Sequence, residues 1–96
     1  GGFARNPDRY YAMRLERVTA ALASKKDELG LYDDAAVAAD RLGKHDDAIG
    51  WMAKKKEALE RLGDEPASAK GEPSHRYRYY ANLGTLHAHR WLHADA

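Results

Sequence analysis

The segment Leu31-Tyr32-Asp33-Asp34-Ala35-Ala36-Val37-Ala38-Ala39-Asp40-Arg41-Leu42-Gly43 decides the fold class. Alanine at 35, 36, 38 and 39 favours helix and leaves little bulk on either side. The stretch therefore reads as a thin helix over 31–42 that neighbours can approach closely, with Gly43 as its C-terminal stop. The whole chain repeats this bias. Of 96 residues, 18 are alanine, and the β-branched set is Val18, Thr19, Val37, Ile49 and Thr85. Strands favour β-branched and aromatic residues, so the chain reads as one small all-α domain.

Working outward, Asn6-Pro7 is a helix start: asparagine caps free amides and proline suits the first helical position. Tyr11, Leu15, Val18, Leu22 and Leu29 recur at three-, four- and seven-residue steps, which predicts a first helix over Pro7–Leu29 capped by Gly30. A third helix is expected over Asp46–Leu62, stopped by Gly63, with Ala48, Ile49, Met52, Leu59 and Leu62 on its buried face. Residues 64–74 hold Pro66, Gly71 and Pro73 among small polar residues and read as a loop. Ser74 caps a fourth helix, Ser74–Leu92 or slightly longer, with Tyr80, Leu83, Leu86 or His87, and Trp91 expected on its inner side.

Self-comparison shows a repeat. Tyr32, Ala35, Ala36 and Ala39 align with Tyr80, Leu83, Gly84 and His87 at an offset of 48. Tyr11, Leu15, Val18 and Leu22 align with Ala48, Met52, Lys55 and Leu59 at an offset of 37. Tyr80-Ala81-Asn82-Leu83-Gly84-Thr85-Leu86-His87 resembles the first helix of a tetratricopeptide repeat, whose pattern opens W-x-x-L-G-x-x-Y. Leu42 through Ile49 resembles that family's turn into its second helix, with Ala48 at the helix crossing. Lys55 stands where the family prefers alanine and no proline closes the unit, so the resemblance is to an extended-helix variant. It implies a helical-hairpin solenoid: a half repeat over 7–29, a full repeat over 31–62, the loop 64–74 and a half repeat over 75–94, within one domain spanning 1–96. One full repeat is short for a solenoid, and the chain opens Gly1-Gly2-Phe3 without methionine. It is expected to be part of a longer protein.

Composition excludes several kinds of chemistry. The absence of cysteine removes disulfides, thiol catalysis and cysteine-ligated metal. A formal net charge of +1 is unlike a polybasic nucleic-acid binder. His75-Arg76-Tyr77-Arg78-Tyr79-Tyr80 interleaves arginine with tyrosine, as base-stacking surfaces do, but a helix spreads these side chains around its circumference. Lys54-Lys55-Lys56 is spread in the same way. His89 and His93 share a helix face at metal-pair spacing, but there is no H-E-x-x-H arrangement and no third ligand on that face. His87 reads as a packed aromatic. Asp33, Asp34, Asp40, Asp46 and Asp47 outnumber Arg41 and Lys44 between 31 and 50, and helix starts account for the last two acids. No Walker loop, dinucleotide fingerprint or nucleophile elbow is present. No catalytic residue, metal or cofactor is expected.

The expected function is a non-catalytic scaffold binding a protein or peptide partner. The resemblance implies a groove lined by the first helix of each pair: Asp33, Val37 and Asp40 on one, Arg78, Asn82, Thr85 and His89 on the other. In that family Asn82 would bond a ligand's backbone. The competing expectation is an assembly module, and a third is a helical domain that binds metal through its histidines or binds nucleic acid. Tyr10, Met13 and Ala21 at one end, and Trp91 and Leu92 at the other, leave apolar surface open, which predicts self-association through the ends.

Overall fold

A computed structural model describes residues 7–93. The chain is all-α: α1 Pro7–Leu22, α2 Leu29–Arg41, α3 His45–Leu62 and α4 His75–Leu92. Helix α2 is central and packs against α1, α3 and α4, and α3 also packs against α4. Its composition makes this possible. Ala35, Ala36, Ala38 and Ala39 are all buried, together with Leu29, Tyr32 and Asp33, so α2 is covered on nearly every side while Val37 stays in water. The core continues through Val18 and Leu22 of α1, Ala48, Met52, Ala58 and Leu59 of α3, and Tyr79 and Leu86 of α4.

Two glycine turns fix the hairpins. After α2, the Gly43 amide donates to the Asp40 carbonyl and the Lys44 amide to the Ala39 carbonyl, each at 2.9 Å. This is a Schellman closure, and Gly43 holds the φ of 80° that it requires. After α3, Gly63 has φ 74° and ψ −73°, and the Asp64 amide donates to the Leu62 carbonyl at 2.9 Å. That is a γ-turn of positive φ, a strained form glycine tolerates best. The loop from Gly63 to Ser74 is pinned by Glu65, whose Oε1 accepts from the amides of His75 and Arg76. Ser74 caps α4 as expected, its Oγ accepting from the Tyr77 amide at 3.1 Å. The expected Asn6 cap lies outside the described residues, as does Ala94 at the end of the last half repeat.

The first helix ends at Leu22, not Leu29. Between these two leucines the three- and four-residue steps fall on Lys25 and Lys26, so the apolar stripe is interrupted and continued helix would bury nothing. The Ser24 hydroxyl bonds back to the Ala21 carbonyl at 3.4 Å, and the Tyr32 hydroxyl donates to the Lys26 carbonyl at 2.6 Å. Leu29 belongs to α2, where it is buried, and Gly30 lies inside that helix rather than capping the one before. α3 begins at His45, and its N-cap is Lys44 without a side-chain bond, so Asp46 is a first-turn residue and not the cap.

The fourth helix is rotated from expectation. Tyr79 and Leu86 are buried and Leu83 is partly buried, while Tyr80, His87 and Trp91 face solvent. Burial matches Tyr32, Ala36 and Ala39 to Tyr79, Leu83 and Leu86, an offset of 47 in place of 48. One residue is about 100° of helix rotation. Among adjacent tyrosines the apolar pattern does not select which points inward. Polar contacts select it: Asn82 and His89 reach α2, and Arg90 reaches α3. Alignment of α1 with α3 holds as burial: Tyr11 and Leu15 are partly buried, Val18 and Leu22 buried, and Ala48, Met52, Lys55 and Leu59 all buried.

Candidate functional site

Six of the seven expected groove residues meet along the seam between α2 and α4. The Asn82 amide donates to Asp33 Oδ1 at 2.9 Å. The His89 Nδ1–H donates to Asp40 Oδ2 at 2.7 Å. Val37, Asp40, Asn82, Thr85 and His89 border a cleft of about 110 Å³ with Ala36, Arg41 and Leu86. Small-molecule pockets are usually several times larger. Asn82 is thus bonded to Asp33 within the chain, and the Thr85 hydroxyl donates to the Ala81 carbonyl of its own helix at 3.1 Å. Arg78 stands apart. Its Nη2 donates to His75 Nδ1 at 2.8 Å, and both residues border a different depression with Leu29, Gly30, Asp34 and Pro66. Burial, then the cationic Arg78 and Lys55, push the His75 pKa down. Because guanidinium only donates, Nδ1 is the acceptor and His75 is the neutral Nε2–H tautomer.

Beneath the seam lies Lys55, which the charge pattern had assigned to a spread-out surface run. It is fully buried, and its ammonium donates to Asp33 Oδ2 at 2.7 Å. One carboxylate thus ties α2 to α3 through Lys55 and to α4 through Asn82. Burial pushes the Lys55 pKa down, and Asp33 opposes the shift. A signal was present in the sequence: Lys55 is three residues after Met52 and four before Leu59, in the middle of the buried stripe.

A second carboxylate works the same way. Asp40 Oδ1 accepts from His45 Nδ1 at 2.7 Å while Oδ2 takes His89. The His45 ring stacks on His93, with centroids 5.2 Å apart and planes 4° from parallel. His89 and His93 therefore join a cluster that spans three helices, rather than forming an isolated surface pair. Among the described residues, no group of three or more histidine or acidic side chains is placed to hold a metal ion.

The outer surface of α4 is of another kind. Tyr77, Ala81, Gly84, Ala88 and Trp91 lie on the side opposite the buried Tyr79 and Leu86, with the exposed Tyr80 and His87 at its edge, and none of the seven is a lysine, arginine or acid. Tyr80 is 66% exposed and Trp91 77%. Side chains this large and apolar rarely line one exposed helix face without a partner. A Cβ added at Gly84, mid-face, would meet nothing within 4 Å, so the chain's own packing does not require glycine there. Of the three residues expected at an open end of α1, Tyr10 and Met13 are exposed and Ala21 is partly buried. Among the described residues, no helix is long and apolar enough to cross a membrane. Comparison of the chain with protein-family models, curated proteins and solved structures finds no match.

Proposed function

We propose that the chain is a non-catalytic protein-interaction module built of tetratricopeptide-like helical hairpins, and that its docking surface is the outer face of α4. The observation that carries this reading is the uncharged row of exposed aromatic and small side chains from Tyr77 to Trp91. A partner helix laid on that row would place apolar anchors in the low ground over Ala81, Gly84 and Ala88. The seam between α2 and α4 gathers six of the seven residues expected to line a groove, without Arg78. The Asn82 amide is bonded to Asp33 there, so a peptide using that amide would have to displace the Asn82–Asp33 bond.

The test is a selection of amphipathic helical peptides against the whole chain, followed by mapping of the bound site by amide chemical shifts. Peptides that shift Tyr80, Gly84 and Trp91, and lose at least tenfold in affinity with Trp91→Glu but not with Asn82→Ala, are expected. The opposite pattern would move the docking surface to the seam. Failure to select any peptide that maps to either helix would overturn the interaction reading.

A further inference from the structure

We propose that the outer face of α4 is occupied by the same face of a second copy, packed antiparallel about a two-fold axis at Gly84. This inference rests on the reading of that face as a docking surface and names its occupant. Reversal about position 84 makes the face complementary to itself. Tyr77 of one copy lies opposite Trp91 of the partner subunit, Tyr80 opposite Ala88 of the partner subunit, and Gly84 opposite Gly84 of the partner subunit. Bulk thus meets gap in the middle and aromatic meets aromatic at both ends. A parallel pair would set Tyr80 against its own copy and leave Ala88 facing Ala88, which packs poorly. Glycine at the crossing lets two backbones approach closely.

Charge selects the same arrangement. Arg76 lies at the amino end of α4, on the flank that faces α3, because it falls on the side of Arg90, fourteen residues and about four turns later. Arg90 Nε bonds Asp46 Oδ1 at 2.6 Å, so Asp46 marks that same flank at the carboxyl end. The Arg76 side chain is 51% exposed, with Glu65 Oε2 of its own chain 4.0 Å away, and that of Asp46 is 81% exposed. An antiparallel two-fold pair brings each Arg76 toward the partner's Asp46. A parallel two-fold pair would set these groups on opposite flanks of the seam and form no such contact. Two-fold closure of one self-complementary patch is the commonest form of a soluble oligomer.

The experiment is sedimentation equilibrium of the full chain from about 1 μM to about 1 mM, with far-ultraviolet circular dichroism as the folding control. A monomer–dimer equilibrium is expected. Gly84→Glu should weaken it at least tenfold without loss of helix, since a side chain at 84 enters open space in the single chain. Arg76→Glu and Asp46→Lys should each pair more weakly than the parent, and an equimolar mixture of the two should regain pairing, because both cross-chain contacts are then attractive again. Single variants that pair as well as the parent would overturn the antiparallel arrangement. A dimer insensitive to Gly84→Glu would overturn this interface. A chain that stays monomeric throughout, while selected peptides still map to α4, would overturn self-pairing and leave the docking reading standing.

Discussion

Asp33→Ala is expected to destabilise the fold by about 3–5 kcal/mol, the cost of leaving one member of a buried ion pair alone. Lys55 is fully buried, and its ammonium bonds Asp33 Oδ2 at 2.7 Å. Removing the carboxylate leaves that buried ammonium without its partner, and frees Asn82 on the other side. A domain of this size has only about 5–15 kcal/mol in total, so much of the population would unfold under mild urea. The loss should depend on pH, and the sign is fixed. Burial already holds the Lys55 pKa below its ordinary value, and Asp33 opposes that shift. Without Asp33 the depression deepens, so over the range between the folded and unfolded values the unfolded chain binds the extra proton. Stability of the variant then rises with pH through that range. Urea titrations at about pH 7 and about pH 10 check this, and a deficit equal at both would show that the Lys55 amine reaches water. Adding Lys55→Met to the variant should restore most of the stability, since a fully apolar replacement of a buried pair is often neutral or better.

Met52→Ala is expected to cost about 2–5 kcal/mol, through lost burial and the cavity left behind. Met52 has no exposure and belongs to α3, which packs against α2 and α4. Ala48, also fully buried, lies one turn away, and being small already it has no atoms to move into the gap. Met52→Leu, nearly equal in volume, should cost less than about 1.5 kcal/mol. Thermal melts of the pair separate cavity from chemistry, because each kcal/mol moves the midpoint of a small domain by about 4–8 °C. Equal losses for leucine and alanine would mean the site tolerates collapse and the core is loose there.

Apolar spacing carried most of the fold to the reader of the sequence. The steps Tyr11, Leu15, Val18, Leu22 and Ala48, Met52, Leu59 placed two helices and their inward faces, and Gly43 and Gly63 placed the turns at the two ends of α3. What spacing lacked was any way to weigh a gap. The seven-residue jump from Leu22 to Leu29 looked like a heptad, and only the tertiary bond from Tyr32 to the Lys26 carbonyl shows it to be a turn. The rotation of α4 was hidden for a different reason. Its solvent face carries aromatics as its core face does, and polar residues hold the inner side through Asn82 and His89. An amphipathic rule applied to such a helix finds Leu83 and Leu86 but turns Tyr80, His87 and Trp91 inward where they face solvent. Six of the seven expected residues lie along the seam between α2 and α4 and Arg78 lies apart, but a list of residue types does not say whether an asparagine is free or already bonded. Lys55 was legible by position and discounted by charge.

The connection from Gly63 to Ser74 gives the molecule a place where its length can change. Chain-closure entropy grows only with the logarithm of loop length, so doubling this segment should cost about 0.6 kcal/mol. The condition is that both anchors survive: the Gly63 turn, and Glu65 at the first amides of α4. A neutral Gly-Ser insertion after Ala69, followed by urea titration, measures that cost, and a loss several times larger would show that the loop is a packed element. The turn at Gly43 has no such freedom, because its three residues are all engaged in closing one helix and opening the next. The fold therefore has one rigid joint and one adjustable tether, and the helix on the tether is the one that bears the apolar outer face.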